Sequence, residues 1–230
     1  MITAEHLRAV AGWARDLPEA DIEYARRGIV EKTFGKGAYI CHRGDRFDYW
    51  TGVVSGLVRL GSVSKSGKEV TFAGLPPGGW FGEGSLIKGE ARRYDLLTLR
   101  ETRLAMMNRA TFLGLFENSV AFNRYLVRQF NERLGQFIAL VEHDRMHSTA
   151  GKLARNLAWL LNPVLNPTVG LRIEITQEEL GLLSGLSRQM ANQGLKALEQ
   201  AGLVRLEHGG LTVLDLDRLR GYGDGSDMDD

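Results

Sequence analysis

The sequence predicts an α+β chain: an N-terminal antiparallel β-roll or jelly-roll, a long helix, and a C-terminal winged helix-turn-helix. Three observations carry this. Short apolar or alternating runs at 49–54, 57–63, 70–75, 96–99 and 104–107 are punctuated by Gly37, Gly44, Gly56, Gly67, Gly78 and Gly79, the pattern of an all-β unit with frequent turns. A proline-free stretch with heptad spacing follows, and beyond it the segment from Thr176 to Gly202 has the punctuation of two helices around one tight turn.

Taken in order, the β-rich part starts near Phe34 and ends near Met107, with Lys65-Ser66-Gly67-Lys68 as a hairpin tip. Between 111 and 148 the only glycines are Gly114 and Gly135. Val127, Phe130, Leu134, Phe137 and Val141 are spaced 3, 4, 3 and 4, a heptad seam. Its register runs on to Asp144 and Ser148, where the apolar stripe stops, while Leu126, Ile138 and Leu140 widen it. A stripe of this kind can pack on its own β-domain, but its length suits a parallel homodimer, with those five residues as the interface. A second helix spans 151–161 and ends at Asn162-Pro163, with Asn166-Pro167 extending the loop. An alternating run at 171–175 leads to the helix-turn-helix. The domains expected are therefore 1–115, 116–148 for the long helix, 149–222, and an acidic tail at 223–230.

Thr176-Gln177-Glu178-Glu179 is a capping box opening a short helix that carries Leu180 and Leu183 on one face. Gly181 leaves room for close helix approach, Gly185 makes the turn, Leu186 fills the corner, and Ser187 caps a second helix over 187–201 that stops at Gly202. On that helix Ala191, Gly194, Leu195 and Leu198 share one side. Arg188, Gln189, Asn192, Gln193 and Lys196 share the other, with no acid before Glu199. Arginine pairs with guanine edges and Asn or Gln with adenine, so this face, together with Ser187, is the candidate double-stranded DNA surface. A solvated polar face is the plain alternative; the capping box, turn glycine and corner leucine argue against it. The runs 203–206 and 211–214 around Glu207-His208-Gly209-Gly210 form a hairpin placed as a wing against phosphates.

The remaining features narrow the class. Hydrophobic residues make up 43% and charged residues 25%, as in soluble globular proteins. No apolar run reaches the ~20 residues of a membrane span, and the N-terminus carries Glu5, Arg8, Arg15 and Asp16, unlike a signal peptide. A cytoplasmic protein without membrane contact is expected. Cys41 is the only cysteine, so an intrachain disulfide is excluded. No nucleophile–base grouping, phosphate loop or metalloprotease spacing occurs, so no enzyme is expected. His143 and His147 have i, i+4 spacing, but Glu142, Asp144 and Arg145 beside them mark a solvated face and no metal site is expected. Cys41-His42 reads as structural. The net charge is only +1, and 151–222 holds eight Lys/Arg against seven Asp/Glu, which leaves open a sensing or scaffolding protein without DNA affinity.

The order of β-domain, long helix and winged helix-turn-helix resembles the Crp/Fnr family of bacterial regulators over essentially the whole chain. The match is strongest from Ile173 to Gly202, where the resemblance puts Arg188, Gln189 and Gln193 at base-contacting positions. Gln189 and Gln193 replace the glutamate and arginine of the cAMP-responsive members. Phe81-Gly82-Glu83-Gly84-Ser85-Leu86 is similar to the phosphate-binding cassette of cyclic-nucleotide domains. There the glutamate accepts the ribose 2′-hydroxyl, and an arginine ten residues on, here Arg93, pairs with the cyclic phosphate. Tyr94 stands where the family has serine, and Phe137 and Ile138 stand where a Thr-Ser pair receives adenine. Arg92-Arg93-Tyr94-Asp95 matches the Arg-x-x-Asp pattern of some cyclic di-GMP sites; on a strand Arg93 and Asp95 share a face, whereas Arg92 and Asp95 do not. The resemblance thus implies a small nucleotide effector, cAMP or cyclic di-GMP, bound by Gly82, Glu83, Gly84, Ser85, Arg92, Arg93, Tyr94 and Asp95. It implies no required cofactor, and it implies RNA polymerase as a partner. An effector-independent regulator with a vestigial cassette is the other reading.

Overall fold

The fold is given by a computed structural model that describes residues 2–63, 69–143 and 148–223, apart from the side chains at 140, 142 and 143. The hairpin tip at Lys65–Lys68, the His143/His147 pair and the tail at 224–230 fall outside what is described. The chain begins with α1 (Ala4–Val10), a 3₁₀ turn (Gly12–Ala14) and α2 (Glu19–Arg27), an amphipathic helical lead-in that buries Leu7, Ile22 and Ala25 and that sequence reasoning passed over. The β-domain follows with β1 (Ile29–Phe34), β2 (Tyr39–Cys41), β3 (Tyr49–Ser55), β4 (Val58–Val63), β5 (Glu69–Leu75), β6 (Trp80–Phe81), α3 (Glu83–Lys88), β7 (Asp95–Thr98) and β8 (Thr102–Asn108). Two antiparallel four-stranded sheets, ordered β1-β8-β3-β6 and β2-β7-β4-β5, face each other, which is the expected roll. Only Ile29 of β1 is buried, so sequence alternation cannot reveal this strand. Pairing with β8, from Ile29↔Met107 to Phe34↔Thr102, forms it instead.

The helical stretch after β8 is broken once. It divides into α4 (Arg109–Asn118) and α5 (Val120–His143) at Ser119, where continuous helix is expected from the absence of proline. Ser119 is extended, its hydroxyl donates to Asp21 (2.6 Å) and it receives the amide of Phe122 (3.2 Å). A serine acting as an N-cap restarts the helix. The inward face of α5 brings Phe122, Tyr125 and Leu126 onto an aromatic core of Trp13, Trp50, Trp80 and Phe112, with Trp50 and Trp80 centroids 4.4 Å apart. Leu126 is thus core rather than part of the stripe.

The C-terminal unit comprises α6 (Thr149–Leu160), β9 (Arg172–Ile173), α7 (Gln177–Ser184), α8 (Arg188–Gln200), β10 (Val204–Glu207), β11 (Gly210–Val213) and α9 (Leu216–Arg220), with a small sheet ordered β10-β11-β9. Its core extends into the β-domain, for Leu57 and Leu99 are buried in the same cluster as Leu157, Leu180 and Leu198. Gly74 of β5 permits this approach: a Cβ there would lie 2.7 Å from Leu183 Cδ1 and 3.1 Å from Leu160 Cδ2. The Asn-Pro loop adds a bond from Thr168 Oγ1 to Pro77 O (2.8 Å).

Candidate DNA interface and anion pocket

The helix-turn-helix is assembled from local signals that all act as expected. Thr176 accepts the Glu179 amide (3.1 Å) while the Glu179 carboxylate receives the Thr176 amide (2.8 Å), two otherwise orphaned donors satisfied at once. Gly185 closes α7 at φ 66°, a left-handed turn that strains any residue with a Cβ. Gly181 lies against the Leu186 carbonyl, which its Cβ would approach to 2.9 Å. Ser187 caps α8 by accepting the Met190 amide (3.2 Å), which leaves its O–H free to donate. Gly194 lets α8 sit on α6, where a Cβ would meet Leu153 Cδ1 at 2.5 Å.

This packing turns the polar stripe outward. Ala191, Gly194, Leu195 and Leu198 are buried, whereas Arg188, Gln189, Gln193 and Lys196 are exposed. Asn192 is half-buried, and its Oδ1 accepts Gln177 Nε2 at 3.3 Å. The wing turns at His208 and Gly209, the latter at φ 76°. Glu207, which closes the turn opposite Gly210, receives Thr212 Oγ1 (2.7 Å) and Arg172 Nε (3.0 Å). Those bonds hold its carboxyl below the usual range.

In the β-domain the cassette is held by the chain's own side chains. Glu83 is buried and receives Trp50 Nε1 (3.3 Å), with Arg133 Nε of α5 at 3.5 Å from its other oxygen. Arg133 Nη2 and Gln129 Nε2 both donate to the Trp80 carbonyl, at 2.6 and 2.8 Å. Ser85 Oγ donates to Gly82 O (3.1 Å) and Gly84 is half-buried.

The inward arginine is Arg92, at 2% exposure. Its guanidinium donates to Gly82 O (2.8 Å), Tyr49 O (2.6 Å) and Phe47 O (3.2 Å). Arg93 faces solvent and pairs with Glu90 (2.9 Å). The expected pairing of Arg93 and Asp95 on one strand face therefore fails. Residues 91–94 lie outside any strand, because the backbone of Arg92 bonds Gly44 and Asp45 of the facing loop (2.8 and 2.9 Å) and directs its side chain inward. Asp95 instead receives the Arg43 amide (2.8 Å). Tyr94 is half-buried beside Arg92, and desolvation of its hydroxyl pushes the pKa up against the opposing guanidinium charge.

Along α5, Val127, Phe130, Leu134, Phe137 and Val141 are all exposed, from 38% to 71%. Ile138 joins them, so the stripe is apolar and faces away from its own β-domain.

Comparison with known proteins fixes the lineage. The family profile described as cyclic nucleotide-binding domain matches residues 31–119, and that described as Crp-like helix-turn-helix domain matches 151–222. The "Cyclic AMP receptor protein" of Thermus thermophilus is 30% identical over 86% of this chain and 89% of its own length. The chain belongs to the Crp/Fnr family. It is a DNA-binding transcription regulator with the family's nucleotide-binding fold. Among solved structures, the Thermus thermophilus catabolite activator protein covers 94% of the chain and 99% of itself at 26% identity and a TM-score of 0.52. FixK2 of Bradyrhizobium japonicum, at 18% identity and a TM-score of 0.67, covers 84% of the chain and 96% of itself and shares the fold.

The arginine that faces inward is Arg92, one residue before the Arg93 that the resemblance implies. Sequence reasoning also missed Gln129 and Arg133, which tie α5 to the cassette; their i, i+4 spacing opposite the seam was the available signal. It missed Arg100 altogether, a loop residue with no motif around it. No helix among the described residues is long and apolar enough to cross a membrane, and among those residues no group of three metal-ligating side chains gathers.

Proposed function

We propose that this regulator acts as a homodimer on a palindromic site, reading base edges with Arg188, Gln189 and Gln193, and setting phosphates with Lys196 and Ser187. The observation that carries this is the acid-free, solvent-facing side of α8 set on a fully buried apolar side. The exposed seam of α5 supports pairing, since a free apolar stripe of five heptad residues is covered when two helices meet. Two α8 helices then enter major grooves one turn, about 34 Å, apart. RNA polymerase is the partner through which a bound regulator acts on transcription.

The test is duplex selection from a random library by the intact protein, followed by titration of the selected duplex. Arg188→Ala should cost about 1–3 kcal/mol at one base pair and relax preference there. Equal binding of parent and variant to every duplex overturns the assignment. Absence of salt-dependent duplex binding would return the chain to the sensing or scaffolding class.

The β-domain, in the same proposal, senses a cyclic nucleotide at Gly82–Ser85, with Arg92 rather than Arg93 as the cation. The relative named for cyclic AMP supports a mononucleotide; cyclic di-GMP rests only on the Arg-x-x-Asp spacing of Arg92 and Asp95, whose side chains bind different partners. Among the described residues, Gln129 Oε1 and Arg92 Nε are buried without a protein partner, which leaves polar capacity beside the cassette. A second reading rests on the bonds from Arg92 to Gly82 O and from Arg133 to Trp80 O: a cassette satisfied by its own side chains works without any effector.

A further inference from the structure

A single arginine of the β-domain grips the residue that caps the helix-turn-helix. Arg100 stands in the turn between β7 and β8, and Glu179 is the capping-box glutamate of α7, 79 residues further on. Arg100 Nε donates to Glu179 Oε1 (2.8 Å) and Nη2 to Oε2 (2.7 Å), and Nη2 also reaches the Glu174 carbonyl (2.9 Å). Paired bonds from a planar guanidinium to a carboxylate fix angle as well as distance. The Glu179 side chain is only 10% exposed, so the pair is screened far less than a surface pair. Glu179 Oε2 simultaneously accepts the Thr176 amide and hydroxyl (2.8 and 3.0 Å). The group that defines where α7 starts is therefore the group held by the β-domain.

Two further contacts flank it. Lys36 Nζ lies 3.9 Å from Glu178, and Thr71 Oγ1 donates to Leu182 O (3.0 Å). The Arg100 clasp and the Thr71 bond hold α7 in its first turn and near its far end, whereas the Lys36–Glu178 pair is largely exposed and adds little. With the clasp closed, Arg188, Gln189, Gln193 and Lys196 stay exposed, so the clasp does not cover the reading face.

We infer that Arg100 is a positioning residue for DNA recognition: through Glu179 it sets the orientation of the helix-turn-helix on the β-domain, and thereby the spacing of the two reading helices in the dimer. This rests on the reading of α8 as the DNA-contacting helix of a dimer. One base pair moves a half-site about 3.4 Å along the duplex and rotates it by a tenth of a turn, so a rigidly held pair discriminates spacers and a loosely held pair does not.

The experiment uses the full chain and the duplex that the parent selects from a random library, with its central spacer kept, lengthened or shortened by one base pair. Arg100→Ala should weaken binding at the selected spacer by about tenfold, and cut the preference over the altered spacers by at least about threefold. Glu179→Gln keeps the capping box, since glutamine also caps, and should reproduce the loss of spacer preference. The double variant should be no worse than either alone, because both remove one clasp. Arg100→Lys retains the charge without the fork and should fall between. An equal loss at all three spacers overturns the proposal and leaves Arg100 a general stabiliser. Tighter binding by Arg100→Ala also overturns it, because the clasp would then be a restraint. If the parent selects no duplex, or stays a single subunit, the recognition reading itself fails, before any variant is compared.

Discussion

Gly52 lies in the middle of β3, buried, with the Trp80 indole directly over it. A Cβ built at this position falls 2.2 Å from Trp80 Cε2 and 2.6 Å from both Cδ2 and Cζ2. Ordinary carbon contacts are about 3.5–4.0 Å, so the ring must retreat by more than 1 Å. It has nowhere to go. Trp13 and Trp50 stand 5.2 and 4.4 Å away by centroid, and a ring cannot bend aside as an alkyl tip can. Gly52→Ala should therefore destabilise the chain at the upper end of the overpacking range, about 3 kcal/mol, minus a few tenths for the better strand residue. For a chain of this size that lowers Tm by about 6–12 °C. Because Trp80 O anchors Gln129 and Arg133, the same change should also loosen α5 from the cassette. The assay is thermal unfolding followed by circular dichroism and tryptophan emission, at one chain concentration, because the association proposed above would make Tm depend on concentration. Gly135→Ala is the control: nothing lies within 4 Å of its Cβ, so mid-helix alanine should stabilise by about 0.5–1 kcal/mol. A Tm for Gly52→Ala within 2 °C of the parent, as about half a kcal/mol would give, refutes the claim that Trp80 is locked over β3.

Three other expectations can be checked on the same material. Titration calorimetry with cAMP, cyclic GMP and cyclic di-GMP should give heat with one of them, abolished by Arg92→Ala and retained by Arg93→Ala; silence from all three, with duplex binding intact, favours the self-satisfied cassette. Leu134→Glu should convert the dimer to single subunits by light scattering without loss of folded signal, because that side chain is 59% exposed in the subunit; an unchanged mass would move the interface elsewhere. Burial pushes the Cys41 thiol pKa from 9.0 up to about 11, with the nearby Arg92 charge opposing. The folded state thus holds that proton more tightly than the unfolded chain. Its stabilising contribution is complete below about pH 9 and is lost as pH rises through about 11. Alkylation at pH 8 should be slow in the native protein and fast in urea; rapid native labelling would contradict the burial.

Much of the recognition unit was legible before any coordinates because its signals are local. A capping box, a turn glycine and an apolar i, i+3, i+4, i+7 face act within one or two turns of chain, and Thr176, Gly185 and Gly194 behave in the structure as their residue types dictate. The heptad seam is half of this kind: periodicity puts Leu134 and Phe137 on one face, but only the structure shows that face turned away from the β-domain. By contrast β1 has no alternation to read and exists through its partner β8. The inward arginine is Arg92, one residue before the Arg93 that the resemblance implies. Side-chain direction at 91–94 is set by two backbone bonds to Gly44 and Asp45, not by strand alternation. The reach of Arg133 to Glu83 and of Arg100 to Glu179 spans 50 and 79 residues of chain. Periodicity speaks for neighbours along the chain, whereas the closing of the cassette and the seating of one domain on another depend on groups that only folding brings within hydrogen-bond distance.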